Sequence, residues 1–233
     1  MFRQRALEAE LMDKATFGPQ EVNDTFRFIE PVNRWLGGSR AILSFFERES
    51  QSWSTSQSYE ILDVGCGSGD IPVTLARWGQ RRGFRLHIQA IDNHPDTLEL
   101  ARHRGRNYPE ITFDRQDLYD LAGDQADYVL LSMLLHHLPD DAIPAVLQRM
   151  LTVCRRKVAV NDLLRAPLAY CGTWLFSLFA SAVFRHDARL SVRKGFTLDE
   201  LKKLLADHGF RSFHVERHFF YRFLLTLDKK EPV

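Results

Sequence analysis

The sequence predicts an α/β fold, a doubly wound, mostly parallel sheet of seven strands with helices on both faces. From about Tyr59 onward, short β-branched and apolar runs alternate with helical segments, which is the pattern of a parallel sheet covered by helices. Two strands follow each other directly near the C-terminus, so we expect the last strand to be inserted antiparallel. The chain of 233 residues is 45% hydrophobic, which is enough to bury a sizeable core.

The predicted helices have recognisable ends. Pro95 is expected at the first position of a helix over 95–104, and Asp141 is placed to cap the helix that follows the fourth strand. Thr197 and Glu200 form a capping box for the last helix. The strands are predicted at residues 59–64, 85–91, 111–116, 127–133, 157–161, 211–216 and 219–228.

Two segments do not fit this alternation. Residues 1–58 are predicted to form a helical N-terminal cap with a Ser/Gln-rich connector, and residues 59–233 a second domain with a lid insert at about 165–195. The uncharged stretch 168–184 is shorter than the ~20 apolar residues of a typical membrane span. We therefore expect one buried or lid helix there, and peripheral contact with a membrane stays open.

Charge and cysteine content narrow the functional classes. Lys and Arg total 31 against 30 Asp and Glu, so the net charge of +1 gives no global field that would gather nucleic acid. The three cysteines form no Cys-x-x-Cys pair, which is typical of a protein from a reducing compartment. The N-terminus shows no secretory pattern, so we expect a cytoplasmic protein. We expect a monomer or a homodimer.

The stretch ILDVGCGSGD, residues 61–70, places three glycines at alternate positions behind the first predicted strand. A dinucleotide fingerprint would need a glycine at position 70, where this chain has Asp70. An acid there suits a cationic ligand better than a phosphate, and bare glycine backbone lets amides approach it. S-adenosylmethionine, which carries a sulfonium and an ammonium, is such a ligand. We expect Asp63 to hold the loop by hydrogen bonds to backbone amides, and it is also placed to face the ammonium.

At this motif the sequence resembles the class I S-adenosylmethionine-dependent methyltransferases, whose Rossmann-like sheet matches the predicted fold. The resemblance continues in order through AIDNHP, FDRQDLYDL and LLSMLLHHLPD. It implies that Asp92 accepts both ribose hydroxyls and that Asp117 accepts a hydrogen bond from the adenine amino group. The predicted cofactor-binding residues are Asp63, Gly65, Cys66, Gly67, Gly69, Asp92, Asn93, Asp117, Leu118, Leu131 and Ser132.

His136 and His137 follow the fourth predicted strand, at the edge where ligands of open α/β sheets bind. Imidazole has suitable basicity to take a proton from a phenol, so both residues are candidate catalytic bases. The alternative is that one histidine bonds to a nearby carboxylate such as Asp140 and only orients the loop. Because the His-His pair has no Glu-x-x-His or Cys/His cluster beside it, no metal is predicted.

The acceptor is expected to be a hydrophobic small molecule. The N-terminal cap and the aromatic-rich insert are predicted to roof the ligand edge with an apolar chamber. VNDLLR, SVRKGFT and FRFLLT are similar to bacterial ubiquinone-type and polyketide-tailoring methyltransferases, which implies a phenolic, polyketide or quinone-like acceptor and favours O-methylation over C-methylation. The predicted acceptor contacts are Arg34, Trp35, Asn161, Arg165, Trp174 and Arg193.

The implied mechanism is an in-line displacement that leaves S-adenosyl-L-homocysteine. A non-catalytic S-adenosylmethionine-binding partner subunit would keep the same glycines, so that alternative stays open. An RNA or protein methyltransferase would need an open cleft, and no nucleic-acid partner is expected. A nicotinamide-dependent oxidoreductase is disfavoured by Asp70 and Asp117.

Overall fold

A computed structural model describes residues 2, 4–11, 38–178 and 180–229. Within these residues, the strands are β1 (Ser58–Val64), β2 (Arg85–Asp92), β3 (Ile111–Arg115), β4 (Ala126–Ser132), β5 (Cys154–Leu163), β6 (Phe213–His218) and β7 (Arg222–Asp228). They form one sheet of seven strands in the order β3-β2-β1-β4-β5-β7-β6. Strand β7 lies between β5 and β6 and pairs antiparallel with both, whereas the other pairs of neighbouring strands in this sheet are parallel. The predicted doubly wound sheet with an inserted antiparallel last strand is confirmed.

An α-helix precedes β1, and the other described α-helices lie in the connections between strands. The predicted capping box is present, with Glu200 N–H donating to Thr197 and Thr197 N–H donating to Glu200. The prediction that Asp141 caps a helix is wrong: the helix has Ala142 at its N-cap, without a side-chain cap bond. The α-helices are α1 (Gly38–Glu49), α2 (Asp70–Arg82), α3 (Pro95–Gly105), α4 (Ile143–Val153), α5 (Pro167–Phe176), α6 (Ala182–Lys194) and α7 (Leu198–Asp207); short 3-10 helices lie at Ser50–Ser52, Leu118–Asp120 and Leu135–His137.

The sheet has a hydrophobic core on each face, because successive residues of a strand point to opposite sides. Along β4, Val129 and Leu131 lie in one core, and Tyr128 and Leu130 in the other. Helix α1 contributes to the second core together with β1, so this part of the predicted N-terminal cap packs directly on the sheet. The domain division at residue 58 remains a prediction.

Phe46→Ala is expected to lower the free energy of unfolding by about 3–5 kcal/mol. The Phe46 ring is fully buried and lies within 6 Å of the rings of Trp53, Trp78 and Tyr128. Urea unfolding measures the loss, and Phe219→Ala is the matched control because that ring is 58% exposed. Equal losses in the two variants would contradict the assignment of Phe46 to the core.

The insert forms two helices rather than the one predicted lid helix. Helix α5 ends at Phe176, and Ser181 begins α6 by accepting the Phe184 N–H at 3.2 Å. This serine offers the backbone a cap in place of continued helix, which explains the break. Among the described residues, no helix has both the length and the apolar character needed to span a membrane. Helix α5 exposes Leu168, Trp174, Leu175 and Phe176.

The N-terminal segment, residues 4–11, is not helical from residue 4 to residue 10, although the sequence predicted a helix. The Ala6 N–H donates to the Arg193 carbonyl at 3.1 Å. The Arg5 guanidinium lies 3.9 Å over the Phe196 ring and donates to the His136 carbonyl at 3.1 Å. These tertiary contacts replace helical ones and hold the segment against α6 and the end of β4.

Candidate functional site

The turn after β1 is built from three glycines with a left-handed backbone. The φ angle is +67° at Gly65, +51° at Gly67 and +76° at Gly69, a region that other residues rarely adopt. A Cβ on Gly65 would lie 2.6 Å from the Leu134 side chain. The Gly65 N–H donates to the Ile91 carbonyl at 2.9 Å. The turn therefore requires bare backbone and lies between the carboxyl ends of β2 and β4.

Polar side chains at the ends of β2 and β3 support this turn. Asp92 accepts the Gly67 N–H at 2.8 Å. Asn93 Nδ2 donates to Asp117 at 3.2 Å, and Asp117 caps the next 3-10 helix by accepting the Tyr119 N–H at 2.9 Å. Each carboxylate oxygen has a second lone pair. Asp92 and Asp117 can therefore hold the loops and still accept hydrogen bonds from a ligand.

Asp63 lies beneath the turn and is 1% exposed. Neither of its carboxylate oxygens has a hydrogen-bond partner among the described residues. Burial raises the pKa of Asp63 well above its usual range, and the negative charges of Asp70 and Asp92 add to this effect. The expectation that Asp63 holds the loop through backbone amides is wrong, because those of Gly65 and Gly67 are bonded elsewhere. An unpartnered buried carboxylate suits a cationic ligand.

Asp63→Asn is expected to stabilise the ligand-free protein by at least ~1 kcal/mol at neutral pH. The folded-state pKa of Asp63 is raised. The contribution of Asp63 to folding stability is therefore fully present below the ordinary aspartate pKa, and it is lost as the pH rises through the raised folded-state pKa. Thermal unfolding against pH measures the difference. Asp127→Asn is the control. It should lower the stability of the folded protein, because Asp127 accepts the Glu60 N–H at 2.9 Å.

The predicted residues at the ends of β4 and β5 pack together. Leu131 is fully buried, as is Asn161. Asn161 Nδ2 donates to the Ser132 hydroxyl at 2.9 Å and to the Gly38 carbonyl at 3.2 Å. The Met133 N–H donates to the Asn161 carbonyl at 2.9 Å. Asn161 therefore connects β4, β5 and α1 through its amide nitrogen, while its Oδ1 has no hydrogen-bond partner among the described residues. Its contact with an acceptor remains a prediction.

Asp162 is the partner of His136. The His136 ring Nδ1 lies 2.6 Å from Asp162 Oδ1, and the His136 N–H donates to Asp162 Oδ2 at 3.1 Å. Burial would raise the pKa of Asp162, but the charge and hydrogen bonds of His136 outweigh it, so the pKa lies below its usual range. Asp140, which the sequence suggested for this role, is exposed and instead pairs with the buried guanidinium of Arg5.

The two histidines differ in exposure. The His136 side chain is 2% exposed, whereas the His137 side chain is 24% exposed. Their ring centroids lie 4.3 Å apart. Glu10 and Lys194 lie beside them. The sequence suggested an isolated histidine pair, and the structure shows that the pair has charged neighbours. Nothing in the local sequence indicates that Glu10 lies beside the histidines. Asp162 could have been found from the sequence, because it lies near the carboxyl end of a strand.

The other predicted acceptor contacts fall into three groups. Arg34 and Trp35 lie outside the described residues. Arg165 is buried, pairs with Glu200 and donates to the Gly195 carbonyl at 2.6 Å, so it ties β5 to α7. Arg193 and Trp174 lie on α6 and α5, where Arg193 pairs with Glu8 at 3.6 Å and Trp174 is 47% exposed.

Known proteins resemble both the sequence and the fold. A family profile described as "Methyltransferase domain" matches residues 61–157. The chain is 31% identical over 163 residues to a ubiquinone biosynthesis O-methyltransferase of Aeromonas salmonicida, a match that covers 64% of this chain and 65% of that protein. The chain thus spans slightly less than two thirds of this relative.

Two solved structures show the likeness in fold. One is an S-adenosylmethionine-dependent methyltransferase from Aquifex aeolicus, with a TM-score of 0.64 and 15% identity, covering 92% of this chain and 100% of that one. The other is the CMeT domain of the citrinin polyketide synthase, with a TM-score of 0.61 and 15% identity, covering 81% of this chain and 51% of that one. At this identity they support the fold alone.

Proposed function

We propose that this chain, which carries a class I S-adenosylmethionine-dependent methyltransferase domain, transfers a methyl group to a hydrophobic small molecule. We favour a phenolic, polyketide or quinone-like acceptor methylated on oxygen. The observation that carries the proposal is the buried carboxylate of Asp63, which has no hydrogen-bond partner among the described residues and precedes a turn of three glycines.

The residues at this edge fit S-adenosylmethionine. Asp63 offers an anion to the cationic methionine end, whose binding would favour the ionised form that burial now disfavours. Gly65, Gly67 and Gly69 leave the backbone open to the ligand. Asp92 and Asp117, at the ends of neighbouring strands, would accept the ribose hydroxyls and the adenine amino group. We assign the remaining predicted cofactor contacts to the same site.

The bound cofactor would supply an activated methyl group on a sulfonium, so the chain has to position the acceptor and manage its proton. His137 is the partly exposed member of the histidine pair, and we assign it proton acceptance. His136 is buried on Asp162, and we assign it orientation of the 3-10 turn Leu135–His137. Asp162 fixes His136 at Nδ1, the arrangement by which a carboxylate sets the orientation of an imidazole.

Three features support a small apolar acceptor. The relative from Aeromonas salmonicida is named for ubiquinone biosynthesis and O-methylation. The motifs VNDLLR, SVRKGFT and FRFLLT resemble those of quinone- and polyketide-modifying enzymes. Helix α5 presents aromatic side chains close to the β6–β7 turn, where the Phe176 and Phe220 ring centroids lie 6.1 Å apart. A polyketide carbon acceptor is the second candidate, favoured by the likeness to the citrinin CMeT domain.

Calorimetric titration with S-adenosylhomocysteine, beside NADH as control, tests the cofactor assignment. We expect micromolar binding of S-adenosylhomocysteine alone, and no binding to folded protein would overturn the proposal. Transfer of labelled methyl to a panel of phenols, quinols and polyketides then tests catalysis. We expect the methyl ether of a phenolic acceptor from the wild type, and none from His137→Gln although that variant still binds S-adenosylhomocysteine. Binding with no transfer to any acceptor would instead favour the non-catalytic partner subunit.

A further inference from the structure

The N-terminal segment, residues 4–11, brings an acid to the histidine pair. Glu10 is buried, and its Oε1 lies 3.8 Å from both His136 Nε2 and His137 Nε2. Lys194 Nζ lies 3.4 Å from Glu10 Oε1 and 3.4 Å from His137 Nδ1. The Ser191 hydroxyl donates to Glu10 at 2.8 Å. An anion, a cation and two imidazoles therefore share one largely buried site.

The Lys194 ammonium opposes the protonation of His137. Like charges repel more strongly in a buried site than in water, so a cation 3.4 Å from the ring disfavours a second positive charge there. The negative charge of the Glu10 carboxylate has the opposite effect, because it lies close to both the Lys194 ammonium and the His137 ring. The charge of Glu10 therefore sets how readily His137 holds a proton.

We propose that Glu10 is a positioning residue for methyl transfer, which offsets the Lys194 charge and stabilises the protonated His137 formed during the reaction. In that step the acceptor O–H bond breaks and its proton bonds to the His137 imidazole. The oxygen electron pair forms the new O–CH₃ bond, and the electrons of the S–CH₃ bond leave with S-adenosylhomocysteine. The inference rests on the proposed function.

The other charged groups at the pair act on His136. Asp162 binds its ring at 2.6 Å, and Arg5 donates to its carbonyl at 3.1 Å while pairing with Asp140. Substitution of Glu10 leaves these contacts in place. A change in the behaviour of His137 after that substitution can thus be assigned to Glu10 and Lys194.

The experiment compares Glu10→Gln with Glu8→Gln over a range of pH. Glu8 lies in the same segment but is exposed and pairs with Arg193 at 3.6 Å, so its variant removes the same charge from the surface. With a phenolic acceptor, we expect Glu10→Gln to lower kcat about tenfold or more. The acidic limb of its pH–rate profile should move to lower pH by about one unit. Glu8→Gln should match the wild type, and all three proteins should bind S-adenosylhomocysteine equally.

A second-site variant separates the charge effect from a loss of folding. Glu10→Gln with Lys194→Met removes both members of the ion pair, and it should return the acidic limb towards the wild-type position. A Glu10→Gln variant with lower activity but an unchanged profile would overturn the inference, as would a double variant that restores nothing. Loss of wild-type activity on chelation, restored by Mg²⁺ or Zn²⁺, would also overturn it, because the donor atoms of Glu10, His136 and His137 lie within 4.8 Å of one another.

Nitrogen-15 spectra of the histidine rings test the inference without an acceptor. His137→Gln identifies the resonances of His137, and the wild type and Glu10→Gln are then titrated. We expect His137 to lose its proton at lower pH in Glu10→Gln, and coincident titrations would overturn the inference. If the wild type methylates no acceptor, the proposed function fails, and the spectra still decide whether Glu10 controls the charge of His137.

Discussion

Asp92→Ala is expected to lower the affinity for S-adenosylhomocysteine by about 100-fold or more while the fold is retained. The substitution removes the predicted acceptor for the ribose hydroxyls. It also removes the partner of the Gly67 N–H, which donates to Asp92 at 2.8 Å. The glycine turn thus loses an anchor at the same time as the ligand loses its hydrogen bonds. Calorimetry gives the affinity, and circular dichroism with urea unfolding checks the fold.

Asp96→Ala is the matched control for this variant. Asp96 lies in the first turn of α3, close to Asp92 in the sequence but outside the predicted cofactor contacts. We expect wild-type affinity there. The affinity of Asp92→Asn should lie between those of Asp92→Ala and Asp96→Ala. Its one carbonyl oxygen can either accept the Gly67 N–H or bind the ribose hydroxyls. Wild-type affinity in Asp92→Ala would remove Asp92 from the cofactor site.

Asp162→Asn is expected to lower kcat by about 100-fold while the KM for the cofactor changes little. Asp162 accepts N–H groups from His136 and from Leu163, the latter at 2.6 Å. The amide would direct its own N–H groups at one of these donors. His136 would then turn, and with it the 3-10 helix that carries His137. Steady-state kinetics separates this positioning loss from a loss of cofactor binding.

The same variant should lose about 3–5 kcal/mol of folding stability at neutral pH. The folded-state pKa of Asp162 is lowered, so its contribution is present above the ordinary aspartate pKa and is lost as the pH falls through the lowered value. The gap between wild type and variant should therefore close in acid. Asp140→Asn, at the exposed carboxylate that pairs with Arg5, should retain both activity and stability.

Much of the fold could be predicted because its signals are local. Alternating apolar runs mark β1 to β5, and the capping box at Thr197 marks the start of α7. The insert was mispredicted because apolar character without charge does not show where a helix breaks, and Ser181 supplied that break. The N-terminal segment was mispredicted because the contacts of Arg5 outweigh its helix propensity.

The sequence by itself determined the positions of the strands along the chain, the glycine turn, and the acids Asp92 and Asp117 at the ends of β2 and β3. These features depend on residues close together in sequence, where backbone restrictions and strand ends place them without further information. Only the tertiary structure decided that Asp162 rather than Asp140 binds His136, and that Glu10 and Lys194 lie beside His137. Those partners come from β5, the N-terminal segment and α6, and their approach is set by how the elements pack.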